Sequence, residues 1–148
     1  MPIINMKGLD LIKEFEGLKT DAYKDRAGVL TIGYGSTKDV KENDSITEQF
    51  ATAMLDKELR EYEGYIDNLV NVPLNSNQHS ALVSLIYNIG PTHFKDSTLL
   101  RKLNEGKYDE VPYQMKRWNK AIVNGELTEL EGLIRRRQAE ADLFNEDS

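Results

Sequence analysis

Glu16, Asp25 and Thr31 are the residues of this 148-residue chain whose types and spacing suit chemistry. They lie in E-G-L-K-T-D-A-Y-K-D-R-A-G-V-L-T-I-G-Y-G, with eight residues between Glu16 and Asp25 and five between Asp25 and Thr31. Two carboxylates in different surroundings are the minimum equipment for acid/base hydrolysis of a glycosidic bond. A hydroxyl able to hold a water would complete an inverting site. Singly, each residue has an ordinary explanation. A helical Glu is mostly exposed, Asp favours the first position of a turn, and Thr is a strand former.

The elements around them separate these roles. Asn5 can cap a helix whose Leu9, Ile12 and Glu16 fall on one stripe, with Gly17 as its stop. On that stripe Glu16 is partly shielded from water, which favours the protonated carboxyl a general acid needs. Residues 19–35 read as a small β region. Asp25-Arg26-Ala27-Gly28 has the residues of a type I turn, whose solvated Asp stays ionised. Alternation puts Leu30, Ile32 and Tyr34 on the inward face and turns Thr31 the other way, toward a cleft beside Asp25.

Ser45-Ile46-Thr47-Glu48 reads as a capping box. It starts a helix that runs to about Asn71, before Pro73, and is roughly 40 Å long. Gly64 inside it suggests a kink, a close contact or simple tolerance. Further helices are expected over 76–89, 97–105, 107–118 and 129–144, punctuated by Gly90-Pro91, Asn104-Glu105-Gly106 and Asn124-Gly125. One short β region followed by helices is an α+β pattern with segregated lobes.

Bulk composition excludes several classes. The chain has no Cys and two His, so neither disulfides nor a zinc site is expected. No apolar run is long enough to span a membrane, and the N-terminus does not read as a secretory signal. A net charge of −6 argues against a nucleic-acid footprint.

Glu16-Gly17-Leu18, Tyr23-Lys24-Asp25, Gly28 and Thr31-Ile32-Gly33-Tyr34-Gly35 together resemble the catalytic signature of phage-type lysozymes, glycoside hydrolase family 24. The resemblance continues through Asn77-Gln78, Tyr87-Asn88-Ile89-Gly90, Ser97-Thr98-Leu99-Leu100, Arg117-Trp118 and Gly132-Leu133 to Arg136-Arg137 and Glu140. It implies a lysozyme-like fold: a small N-terminal lobe with a short antiparallel sheet, joined by a long helix to a mainly helical C-terminal lobe. The implied single domain covers 1–148, with lobes of approximately 12–60 and 1–11 plus 61–148.

By that resemblance, Glu16 protonates the leaving glycosidic oxygen of bacterial peptidoglycan, and Asp25 and Thr31 hold the attacking water. Arg136 matches a family arginine that pairs with the catalytic Glu and would favour its ionised form. Tyr87, Asn88 and Ser97 are placed on the cleft wall facing the sugar. Trp118 reads as a core anchor, His79 as a surface helix residue, and Arg135 and Arg137 equally as a solvated basic face. No cofactor or metal is implied. The resemblance further implies a monomer that gathers in the host cytoplasm and reaches the wall through a holin. Two departures stand out: Ser36 where the family commonly has His, and an acidic balance in an often basic family. A lytic transglycosylase and a non-catalytic wall-binding module are the alternatives; Asp25, Thr31 and the intact carboxylate pair weigh against them.

Overall fold

The computed structural model describes residues 3–147. Helix α1 (Met6–Glu16) is followed by strands β1 (Lys19–Lys24) and β2 (Leu30–Gly33), which pair antiparallel. Helix α2 (Glu48–Leu69) leads to α3 (Ser76–Ile89), α4 (Pro91–Lys95) and α5 (Thr98–Asn104). A 3-10 turn (Tyr108–Glu110) and α6 (Val111–Lys116) precede a second antiparallel pair, β3 (Lys120–Val123) and β4 (Glu126–Glu129). Helix α7 (Glu131–Asn145) completes the α+β fold.

Local chemistry explains most boundaries. Asn5 caps α1 by accepting from Gly8 N, and Gly17, at φ 73°, ends the helix at Glu16. Asn75 and Gln78 form the capping box of α3. Helix α2 starts later than the sequence suggests. Its cap is Thr47, which accepts from Phe50 N, whereas Ser45 donates its hydroxyl to Asp21 Oδ1. Cross-strand pairing thus takes Ser45 away from the helix. With 22 residues, α2 is about 33 Å long. Nothing lies within 4 Å of a Cβ built on Gly64, so the chain simply tolerates it there.

The expected helix 107–118 divides into the 3-10 turn and α6, which begins at Val111-Pro112; Pro112 has no N–H to continue an earlier helix. The single expected β region is joined by the β3–β4 hairpin. Asn124 and Gly125 form its turn with φ of 53° and 81°, the pair of left-handed conformations that Asn-Gly supplies. They join two strands there, not two helices.

The core is built chiefly from Leu82, Leu85 and Ile86 of α3, Leu55, Leu59 and Ile66 of α2, and Phe144 of α7, with Ile12 of α1. Helix α3 packs against α1, α2 and α7. His79, read from sequence as a surface residue, is 2% exposed because α3 is central and buried on nearly every face. Arg137, for which a solvated basic face was one of two equal readings, is fully buried among partners described below.

Candidate active site

Glu16 is the last residue of α1, and two grooves meet at its side chain. The inner groove, about 340 Å³, is walled by Gly35 and Lys38 after β2, by Glu58, Glu61 and Tyr62 of α2, and by Tyr87 and Asn88 of α3. The outer groove is lined by Glu16, Arg26, Asn88, Leu130 and Arg136, with others. Gly35 sits at φ 90°, and a Cβ there would lie 3.0 Å from Glu16 Oε1. The loop can pass this close to the carboxylate only as glycine.

Arg136 reaches Glu16 across 120 positions of sequence. Its Nη1 donates to Glu16 Oε2 at 2.7 Å, with the Glu16 side chain 20% exposed and that of Arg136 4% exposed. Arg136 also donates from Nε to Glu140 Oε2 at 3.2 Å and from Nη2 to the Ser84 carbonyl at 3.1 Å. Glu140 in turn accepts from the Ser84 hydroxyl and from Arg137 Nη1. Arg137 also donates to Asn88 Oδ1 and to the Trp118 carbonyl. Burial pushes the Arg137 guanidinium down, and the charge of Glu140 opposes that effect.

Asp25 and Thr31 are tied to one residue between them. Asp25 Oδ1 accepts from Val29 N, and from Ala27 N, at 2.9 Å each, while the Thr31 hydroxyl donates to the Val29 carbonyl at 2.9 Å. Gly28 N also donates to the Asp25 carbonyl, closing the turn. Asp25 is exposed at this turn, and Oδ2 has no partner among the described residues. Thr31 differs from its expected position. It is only 4% exposed, as buried as Ile32, because β2 is covered on both sides; Ala51 of α2 lies 3.4 Å from where a Gly33 Cβ would be. Neither Asp25 nor Thr31 lines the two grooves at Glu16.

The remaining site residues divide. Tyr87 and Asn88 stand on the wall beside Glu16. The Tyr87 hydroxyl lies 3.0 Å from the Tyr34 carbonyl and 3.2 Å from Glu58 Oε2, and its single proton serves one of them at a time. Burial and the charges of Glu58 and Glu16 push this phenol well above its ordinary range. Its ring meets that of Tyr62 edge to face at 5.1 Å. Ser97 lies just before α5. Its hydroxyl accepts from Leu100 N and donates to the Phe94 carbonyl, so it caps α5 and is absent from both grooves. Ser36 is buried with its hydroxyl unpartnered among the described residues.

Sequence reasoning missed Glu58 and Glu61. With Tyr62 and Tyr65 they make an i, i+3, i+4, i+7 stripe on α2, a spacing that marks one helix face. Their carboxylates give the inner groove an acidic wall facing Lys38.

A sequence profile described as phage lysozyme matches residues 13–140. The chain belongs to the phage lysozyme family. An endolysin of Acyrthosiphon pisum secondary endosymbiont phage 1 is 47% identical over 141 residues, covering 95% of this chain and 97% of that protein. The muramidase domain of SpmX from Asticaccaulis excentricus is 39% identical, with a TM-score of 0.94 over 99% of this chain and 100% of that one. An endolysin from Escherichia coli O157:H7 phage FAHEc1 is 39% identical, with a TM-score of 0.89 over 96% of this chain and 92% of that one. The fold is thus that of phage lysozymes, and the chain is a lysozyme-type enzyme.

Proposed function

We propose that this lysozyme hydrolyses the β-1,4 bond between N-acetylmuramic acid and N-acetylglucosamine in bacterial peptidoglycan, with inversion, as an endolysin in host lysis. The observation that carries this reading is Glu16 held by Arg136 where two grooves meet. A glycan strand running along both grooves would cross Glu16 at its scissile bond. Glu16 then donates its proton to the leaving oxygen.

Asp25, an exposed residue whose Oδ2 has no partner among the described residues, acts as the base or as the anion that steadies the oxocarbenium-like state. Thr31 keeps hydroxyl lone pairs available to a water, since its proton is committed to Val29. Tyr87 and Asn88 bind the glycan from the wall. Ser97 has no part in this reading.

The chain works as one domain whose lobes, approximately 12–60 and 1–11 plus 61–148, close over the glycan; residues 1, 2 and 148 lie outside the described residues. It acts as a monomer, gathers in the host cytoplasm and depends on a holin to reach the wall. Among the described residues no helix is long and apolar enough to cross a membrane.

Mass spectrometry of digested peptidoglycan tests the reaction. Hydrolysis adds one water to each cleaved bond, and Glu16→Gln, still folded, yields no fragments. A 1,6-anhydro product would instead assign a lytic transglycosylase. Fragments from Glu16→Gln at the wild-type rate would reject the mechanism.

A further inference from the structure

Glu16 belongs to a closed set of four charges. Arg136 donates both to Glu16 and to Glu140, and Glu140 also holds Arg137. Arg136, Arg137 and Glu140 are all buried, and Glu140 is fully so. The set is neutral when Glu16 is ionised and carries one positive charge when Glu16 holds its proton. In a buried cluster such charges act on one another with little screening. Arg137 extends the set to Asn88, which faces both grooves.

We propose that Glu140 and Arg137 are positioning residues that set the pH at which Glu16 gives up its proton and fix the direction of the Asn88 amide on the groove wall. The inference deepens the reading of Glu16 as general acid and rests on it. Glu140 competes with Glu16 for Arg136. The more firmly Glu140 draws Arg136, the less that cation stabilises the ionised Glu16. Arg137 satisfies the other Glu140 oxygen and limits the competition. Ser84 fills the remaining contacts, giving its hydroxyl to Glu140 and its carbonyl to Arg136.

Other groups also face Glu16. Glu58, Glu61 and Tyr62 do so from α2, Tyr87 from α3 and Lys38 from the loop after β2. Glu14, Arg26, Glu131 and Arg135 border the outer groove. None of these forms an ion pair with Glu16; among the described residues, Arg136 alone does. The outer groups are open to solvent screening, whereas the Arg136–Glu140–Arg137 set is not.

The test uses two variants with opposite expected signs. Glu140→Gln removes a negative charge and frees Arg136 for Glu16. Glu16 then ionises more readily, so the alkaline limb of kcat/KM moves to lower pH by about one unit. Arg137→Met removes a positive charge and lets Glu140 draw Arg136 away, moving that limb to higher pH by about one unit. Arg137→Met also raises KM, because Asn88 loses its anchor. Arg137→Lys keeps the charge and leaves the limb near its wild-type position.

A 13C NMR titration of the Glu16 carboxyl follows the same shifts whether or not Glu16 is the acid. It therefore separates failure of this inference from failure of the catalytic reading, which Glu16→Gln tests. If one variant does not fold, the other carries its own sign. An unmoved Glu16 titration in a folded Glu140→Gln or Arg137→Met enzyme overturns the proposal, and so does a shift of the same sign in both.

Discussion

Arg136 and Glu16 form an ion pair at 2.7 Å that joins the end of α1 to the first half of α7. The pair is part of the site and part of the fold, because Arg136 also holds the buried Glu140. Removing the cation leaves Glu140 with Arg137 and Ser84 alone. Loss of one partner of a buried pair costs about 3–5 kcal/mol. Arg136→Met should therefore unfold at clearly lower denaturant concentration. Its residual activity should persist to higher pH than wild type, since the cation no longer favours the ionised Glu16. Chemical denaturation and a pH–activity profile check the two halves separately.

Asp25 is exposed, with one oxygen occupied by its own turn and the other without a partner among the described residues. Asp25→Asn retains an acceptor for the Ala27 and Val29 amides, so thermal unfolding should match wild type while wall clearing falls by at least about a hundredfold. Asp25→Ala should lose the same activity and, in addition, about 1 kcal/mol of stability as the turn loses its acceptor. Equal melting temperatures for the two variants would count against the turn's dependence on this side chain.

A Cβ placed on Gly35 would meet Glu16 Oε1. Gly35→Ala meets two obstacles, a positive φ of 90° and a contact of 3.0 Å with the carboxylate. The expected result is a fall in kcat of at least about tenfold from displacement of Glu16, with a smaller change in KM. Steady-state kinetics on wall preparations read the split.

His79 is buried with neither ring nitrogen hydrogen-bonded, and Asp67 nearby has a buried oxygen in the same condition among the described residues. Burial holds the imidazole below its ordinary value near 6.5, and the Asp67 charge only partly opposes this. The unfolded chain therefore binds a proton that the folded chain resists. Stability from this group is complete above about pH 6.5 and is lost as pH falls through that value toward the folded-state pKa. Glu63, buried and raised by that burial, acts with the opposite sign at lower pH, so comparison must be made against a variant. His79→Leu should gain stability relative to wild type as pH falls from 7 to 5, read by urea unfolding. A constant difference across that range would contradict it.

How far the sequence could be read depended on whether a feature was local. Asn5, Gly17, the Asp25–Gly28 turn and helix α3 were legible because caps, turns and periodicity act within a few residues. Asn124-Gly125 was legible as a break. That it joins strands depends on Ile122 facing Leu127 across the hairpin, a pairing the turn alone does not show. Ser45 carried a valid capping pattern but lost it to Asp21, more than twenty positions away. His79 was misplaced, and Arg137 left between two readings, for the same reason: burial depends on what packs against a helix.

The sequence by itself determined the family, the order of Glu16, Asp25 and Thr31, and the helix end and turn that present the two carboxylates. Those features follow from short-range backbone chemistry and from residue types at set spacings. Only the tertiary structure decided that Arg136 reaches Glu16 and that Glu140 and Arg137 stand behind it. Periodicity names the face of a helix and leaves its partner open. Here the burial of α3 between α1, α2 and α7 brought residues 120 positions apart into one buried set of charges.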